Sequence, residues 1–167
     1  MKYLFYFVIT LVTLLFQSTF IELISIRGVQ PDLLLILVVL IGLRESRSRA
    51  TIIGFAIGLL QDLFATSLFG LSALAKSLVG FLVVTIAKRR VIGNYQRITL
   101  VFILSALLQG IVFSFVLATG IEIKLLHVMF RYQLPSVIYT TIIGLVIAAF
   151  IPINYWRSIR KPLIHDL

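Results

Sequence analysis

Apolar residues in this chain run in long unbroken stretches, at 3–21, 31–43, 50–64, 68–87, 98–119 and 134–153. Such stretches leave no polar side to present to water, and in lipid a continuous apolar segment satisfies its own backbone only as a helix. A strand of a membrane barrel would alternate apolar and polar residues, a pattern these stretches lack. A bilayer core about 30 Å thick takes about 20 helical residues. The first, fourth, fifth and sixth stretches reach that length. The second and third are short and are expected to borrow turns from flanking polar residues. The expected fold class is therefore an all-α membrane protein, with six transmembrane helices in one bundle forming a single domain over 1–167.

Composition supports the same class. Hydrophobic residues make up 60% and charged residues 13% of the 167 residues, more apolar surface than one soluble core could hide. The absence of cysteine removes disulfides, thiolate nucleophiles and cysteine-based metal sites. A formal net charge of +9 would suit nucleic acid, but no polar stretch is long enough to form a soluble basic domain. The charge is expected to set membrane topology instead.

Its distribution fits that role. Alternating the six stretches from a cytoplasmic amino end puts Lys2, Arg44, Arg47, Arg49, Lys88, Arg89, Arg90, Arg97, Arg157, Arg160 and Lys161 on the inner side. Arg27, Lys124 and Arg131 fall outside, and Lys76 lies within a span. Over loops this short, such a bias favours both ends in the cytoplasm. The first stretch follows only Met1 and Lys2 and meets no small-x-small cleavage site, so it reads as a retained anchor.

Four features stand out. Asp62 ends the third stretch and Lys76 lies inside the fourth, and charges within apolar sequence are costly unless they meet a partner or water. Two arrangements are open: a direct ion pair between antiparallel helices, or Lys76 stretching toward the headgroups while Asp62 accepts hydrogen bonds near the loop. In both, Asp62 is expected to face protein. Gly54 and Gly58 form a G-x-x-x-G, continued loosely by Gly70 and Gly80, and are expected chiefly to pack helices within the protein. Pro31-Asp32 suits the first turn of a helix, the aspartate complementing its dipole; two consecutive short spans also allow a site at broken helices. The segment 120–133 is apolar with sparse charges and reads as an interfacial helix on the outer side.

Catalytic chemistry finds no footing. His127 and His165 lie far apart in this topology with no second ligand at metal spacing, and no G-x-S-x-G or phosphate loop is present. No cofactor or metal is expected, and the chain is not expected to be an enzyme.

The segment 31–81, PDLLLILVVLIGLRESRSRATIIGFAIGLLQDLFATSLFGLSALAKSLVGF, with its place among the six stretches, resembles the MreD family of bacterial rod shape-determining membrane proteins. The matching features are the Pro31-Asp32 start, Gly54, the run from Gly58 through Gln61 to Asp62, and Leu68-Phe69-Gly70; Lys76 stands outside the pattern. The resemblance implies a multi-pass protein of the bacterial cytoplasmic (inner) membrane. It would be a non-catalytic subunit of the cell-elongation complex, binding MreC near RodA, its transpeptidase partner and, indirectly, MreB, and helping to organise peptidoglycan synthesis and rod shape.

On this view, small-residue faces of the third and fourth spans, with Asp62 near the outer leaflet, would position a partner's helix. The basic loops would meet anionic lipid or MreB-side components. A rival reading is a substrate-binding subunit of an energy-coupling factor vitamin transporter, a six-helix protein to which the family's fold is similar. The docking motif Ala-x-x-x-Ala used there is absent from 3–21. A proton-coupled transporter using Asp62 would lack a second buried acid or histidine.

Overall fold

The computed structural model describes residues 2–25, 29–64, 69–87, 95–120 and 134–150. Lys88, Arg89, Arg90, Arg157, Arg160, Lys161, both histidines and most of the 120–133 segment lie outside the described residues, as does the side chain of Arg97. Six helices, with no extended strand among the described residues, follow in chain order. They are α1 Lys2–Ile24, α2 Leu33–Gly42, α3 Arg47–Phe64, α4 Leu71–Ala87, α5 Tyr95–Gly120 and α6 Leu134–Phe150.

The chain is thus all-α, but the helices are less uniform than the apolar stretches suggest. By length and composition, α1 over Lys2–Thr19 and α5 over Ile98–Val116 are apolar enough to cross a bilayer. Helix α4 has 17 residues, fewer than its stretch implies. The cause is local: Gly70 takes a left-handed φ of 92°, so the helix begins only at Leu71. Helix α3 does borrow its first turn from Arg47, Ser48 and Arg49, as expected.

The second helix departs furthest from expectation. It borrows nothing and has 10 residues, about 15 Å of helix, half the thickness of a bilayer core. Asp32 caps its start, with Oδ1 accepting the Leu35 N–H at 2.8 Å, and Pro31 ahead of it is fully buried. Its end is closed by the Leu43 N–H on the Val39 carbonyl at 3.0 Å and the Arg44 N–H on the Ile41 carbonyl at 2.9 Å. Residues Leu34 to Gly42 are all buried, because α2 touches every other helix. A helix enclosed by protein on all sides has no lipid thickness to match, which is why so short an element can sit at the centre of the bundle.

Around that axis α3 packs on α4, α4 on α5 and α5 on α6, while α1 rests on α2. The α3–α4 contact is the most extensive, and its closeness depends on glycine. A Cβ on Gly54 would strike the Lys76 carbonyl, one on Gly58 the Ser72 carbonyl, and one on Gly80 the Ala50 carbonyl. The G-x-x-x-G is therefore used inside the protein, where close backbone approach is a main source of helix association in lipid. Gly70 has a different use from the packing role expected of it: nothing lies within 4 Å of its missing Cβ, and it is needed for its backbone angle. The outward faces carry large apolar side chains such as Phe5, Phe55, Leu78, Ile111 and Ile138, a surface suited to lipid and not to water.

Gly58→Leu is expected to force α3 from α4 and lower stability by about 1–3 kcal/mol or more, read as a reduced thermal midpoint in detergent micelles. Ala56→Leu on the exposed side of α3 is expected to leave the midpoint unchanged.

A buried polar centre at the start of helix α2

The N-terminal end of α2 carries the densest polar cluster among the described residues. Asp32 uses its two carboxylate oxygens differently. Oδ1 caps α2, while Oδ2 accepts from Lys76 Nζ of α4 at 2.8 Å and from Gln109 Nε2 of α5 at 2.7 Å. Gln109 turns its Oε1 to the same ammonium group at 3.5 Å. Thr140 of α6 joins the cluster by accepting the Asp32 backbone N–H at 3.1 Å, and Ser136 donates to the Gln30 carbonyl at 2.9 Å. One aspartate therefore gathers α2, α4 and α5 through its carboxylate and α6 through its backbone N–H.

The Lys76 side chain has no exposure and that of Asp32 only 15%. An isolated charge at such depth would cost several kcal/mol, and pairing with two further hydrogen bonds offsets that cost. Beside Asp32 lies a cavity of about 20 Å³, bordered by Gln109, Gly110, Ser136 and Thr140. That is room for one water molecule.

Of the two arrangements left open for Asp62 and Lys76, the direct ion pair is not the one adopted. Glycine packing sets the register of α3 against α4, with Gly54 opposite Lys76 and Gly58 opposite Ser72. One turn further along, Asp62 comes opposite the first turn of α4. There its Oδ2 accepts the N–H groups of Gly70 at 3.0 Å and Ala73 at 3.1 Å, and its Oδ1 that of Ser72 at 3.1 Å. A helix start exposes unpaired N–H groups and positive dipole, so a carboxylate there is well placed. Asp62 accepts hydrogen bonds near the loop, as one of the two arrangements had it, and is buried against protein. Lys76, by contrast, reaches inward to Asp32 and not outward to headgroups.

Gln61 contributes less: its Oε1 is buried with no partner among the described residues. The loop between α2 and α3 holds a second cluster that sequence reading passed over. Glu45, its side chain 1% exposed, takes Lys2 Nζ and the Tyr6 hydroxyl of α1, the latter at 2.9 Å. Near the other end of α1, Gln17 Oε1 accepts the Leu34 N–H at 3.3 Å. Arg44, Arg47 and Arg49 all lie at the α2–α3 end, away from Asp62 at the α3–α4 end. Gln109 was also missed, although a lone glutamine inside the 98–119 stretch was a visible signal; Glu45, between two arginines, offered none.

Among the described residues, Asp32, Lys76, Gln109 and Asp62 are engaged in capping, pairing and helix contact, and the outward faces carry large apolar side chains. These traits define a helical membrane protein organised by an internal polar centre. The sequence model of the family described as rod shape-determining protein MreD matches residues 1–156, and the chain belongs to the MreD family. It is thereby a shape-determining membrane protein. No curated protein and no solved structure matches it significantly.

Lys76→Met strands the Asp32 carboxylate and is expected to lower stability by about 3–5 kcal/mol. Adding Asp32→Asn, which keeps the cap, should recover most of that loss in thermal or denaturant unfolding from micelles. A double variant no more stable than the single one would show that the two charges do not act as a unit.

Proposed function

We propose that the protein is a non-catalytic subunit of the bacterial cell-elongation complex that binds MreC through its helix faces and helps to organise peptidoglycan synthesis and rod shape. RodA, its transpeptidase partner and, indirectly, MreB are its wider neighbours in this reading. The observation that carries the reading is the family match over residues 1–156. The geometry is consistent with a scaffold: polar side chains serve internal contacts, and the surface offered to neighbours is apolar.

The proposed topology crosses the cytoplasmic membrane six times with both ends inside. It puts the α2–α3 turn, with Arg44, Arg47 and Arg49, at the cytoplasmic face and the α3–α4 turn, with Asp62, at the outer face. A partner's helix is proposed to dock on the outward apolar faces, since the Gly54–Gly58 face is filled by α4. Asp62 and Lys76 then serve the partner by holding the bundle in shape. The cavity at the polar centre, as the described residues border it, admits one water and no vitamin, so it is not the ligand site that the transporter-subunit reading would need.

Affinity purification of the full chain from native membranes is expected to recover MreC in stoichiometric amount; a chain recovered folded and without MreC would sink the reading. Asp62→Ala is expected to lower MreC recovery only in proportion to the folded fraction. Since the chain has no cysteine, single replacements report topology cleanly. Ser48→Cys should react with an impermeant maleimide only from the cytoplasmic side, and Phe69→Cys only from outside.

A further inference from the structure

The α2–α3 end holds more positive charge than the described residues neutralise. Its one described carboxylate, Glu45, is already taken by Lys2 and Tyr6. Neither Arg47 nor Arg49 forms a salt bridge among the described residues. Arg49 is exposed, and Arg47 has a buried Nε with no hydrogen-bond partner there.

Arg47 is nonetheless held in place. Its guanidinium lies over the ring of Phe81 on α4, 5.0 Å from the centroid, a cation–π contact that fixes direction more than it neutralises charge. Phe81 is 45% exposed and begins an apolar row that continues along α4 through Leu78 and Leu74. The Gly80–Ala50 contact sets this register, bringing the row beside the first turn of α3. A guanidinium fork oriented at one end of an outward apolar strip is matched to a molecule with an anionic head and a hydrocarbon tail. Arginine binds phosphate through two parallel N–H groups, while the strip offers an acyl chain continuous contact.

We propose that Arg47 and Phe81 form a binding site for one anionic phospholipid of the cytoplasmic leaflet. The phosphate sits on the Arg47 guanidinium, and one acyl chain lies along Phe81, Leu78 and Leu74. Free phosphate shares the headgroup chemistry but lacks the tail that the apolar row would hold. The inference rests on the membrane topology proposed above and not on MreC binding.

The test is native mass spectrometry of the full chain in neutral detergent, titrated with phosphatidylglycerol, with phosphatidylcholine or with inorganic phosphate. Phosphatidylglycerol is expected to bind at least about fivefold more tightly than phosphatidylcholine, the effect of about 1 kcal/mol per basic residue near an anionic surface. Arg47→Gln should remove most of that preference. Phe81→Leu, which keeps an apolar side chain and both arginines, should weaken binding by a smaller factor while the preference for the anionic head persists. If Arg47→Gln does not fold, Arg47→Lys carries the same test, since it keeps the charge but loses the fork and should bind less tightly than wild type.

Equal phosphatidylglycerol binding by wild type and a folded Arg47 variant would overturn the site. So would displacement of the lipid by millimolar inorganic phosphate, which would assign it to the free anion. Labelling at Ser48→Cys reads the topology separately, so a misplaced end and an absent lipid site give different results.

Discussion

Asp32 has two carboxylate oxygens and the fold depends on both. One starts α2 by accepting an N–H of its first turn; the other draws Lys76 and Gln109 to the same point. Without the cap, the central helix would begin with unpaired donors in the protein interior. Without the ammonium partner, a buried negative charge would remain. The two uses are coupled because they share one side chain, so the helix that touches all the others is positioned by the group that ties α4 and α5 to it.

The α3–α4 hairpin prepares that contact. Gly54, Gly58 and Gly80 let the two backbones meet closely enough to set their register. In that register Asp62 reaches the first turn of α4, and the Lys76 side chain is directed to α2 and α5. Glycine packing and intramembrane charge are thus successive parts of one arrangement: the first fixes where the lysine is, the second what it meets. Helix α1 is joined differently, through Glu45 at one end and Gln17 near the other, and presents much of its surface outward.

For a member of the MreD family, such an interior has a functional sense. Asp32, Asp62, Lys76 and Gln109 hold helices together, which leaves apolar faces and charged turns as the parts available to neighbours among the described residues. Faces of that kind distinguish partners by shape, and shape is what the polar centre maintains. In this reading the cytoplasmic turn between α2 and α3 adds a second kind of contact, since arginines in excess of carboxylates are drawn to an anionic membrane surface.

The all-helical class, the positions of the helices and the family were legible in the sequence, because unbroken apolar runs and local motifs are properties of neighbouring residues. Pro31-Asp32 as a helix start, the internal use of Gly54 and Gly58, and the burial of Asp62 against protein could be read in the same local way. The partner of Lys76 could not. Asp62 is 14 positions away and Asp32 is 44, and proximity in sequence favoured the wrong one, since registry between helices depends on which side chains are absent at the contact. Nor could the enclosure of α2: an apolar run looks the same whether lipid or protein surrounds it. The residues alone determined which segments become helices and that their charges require partners. Only the packing of those helices, where backbones separated by a missing methyl group fix the register, decided which charges meet.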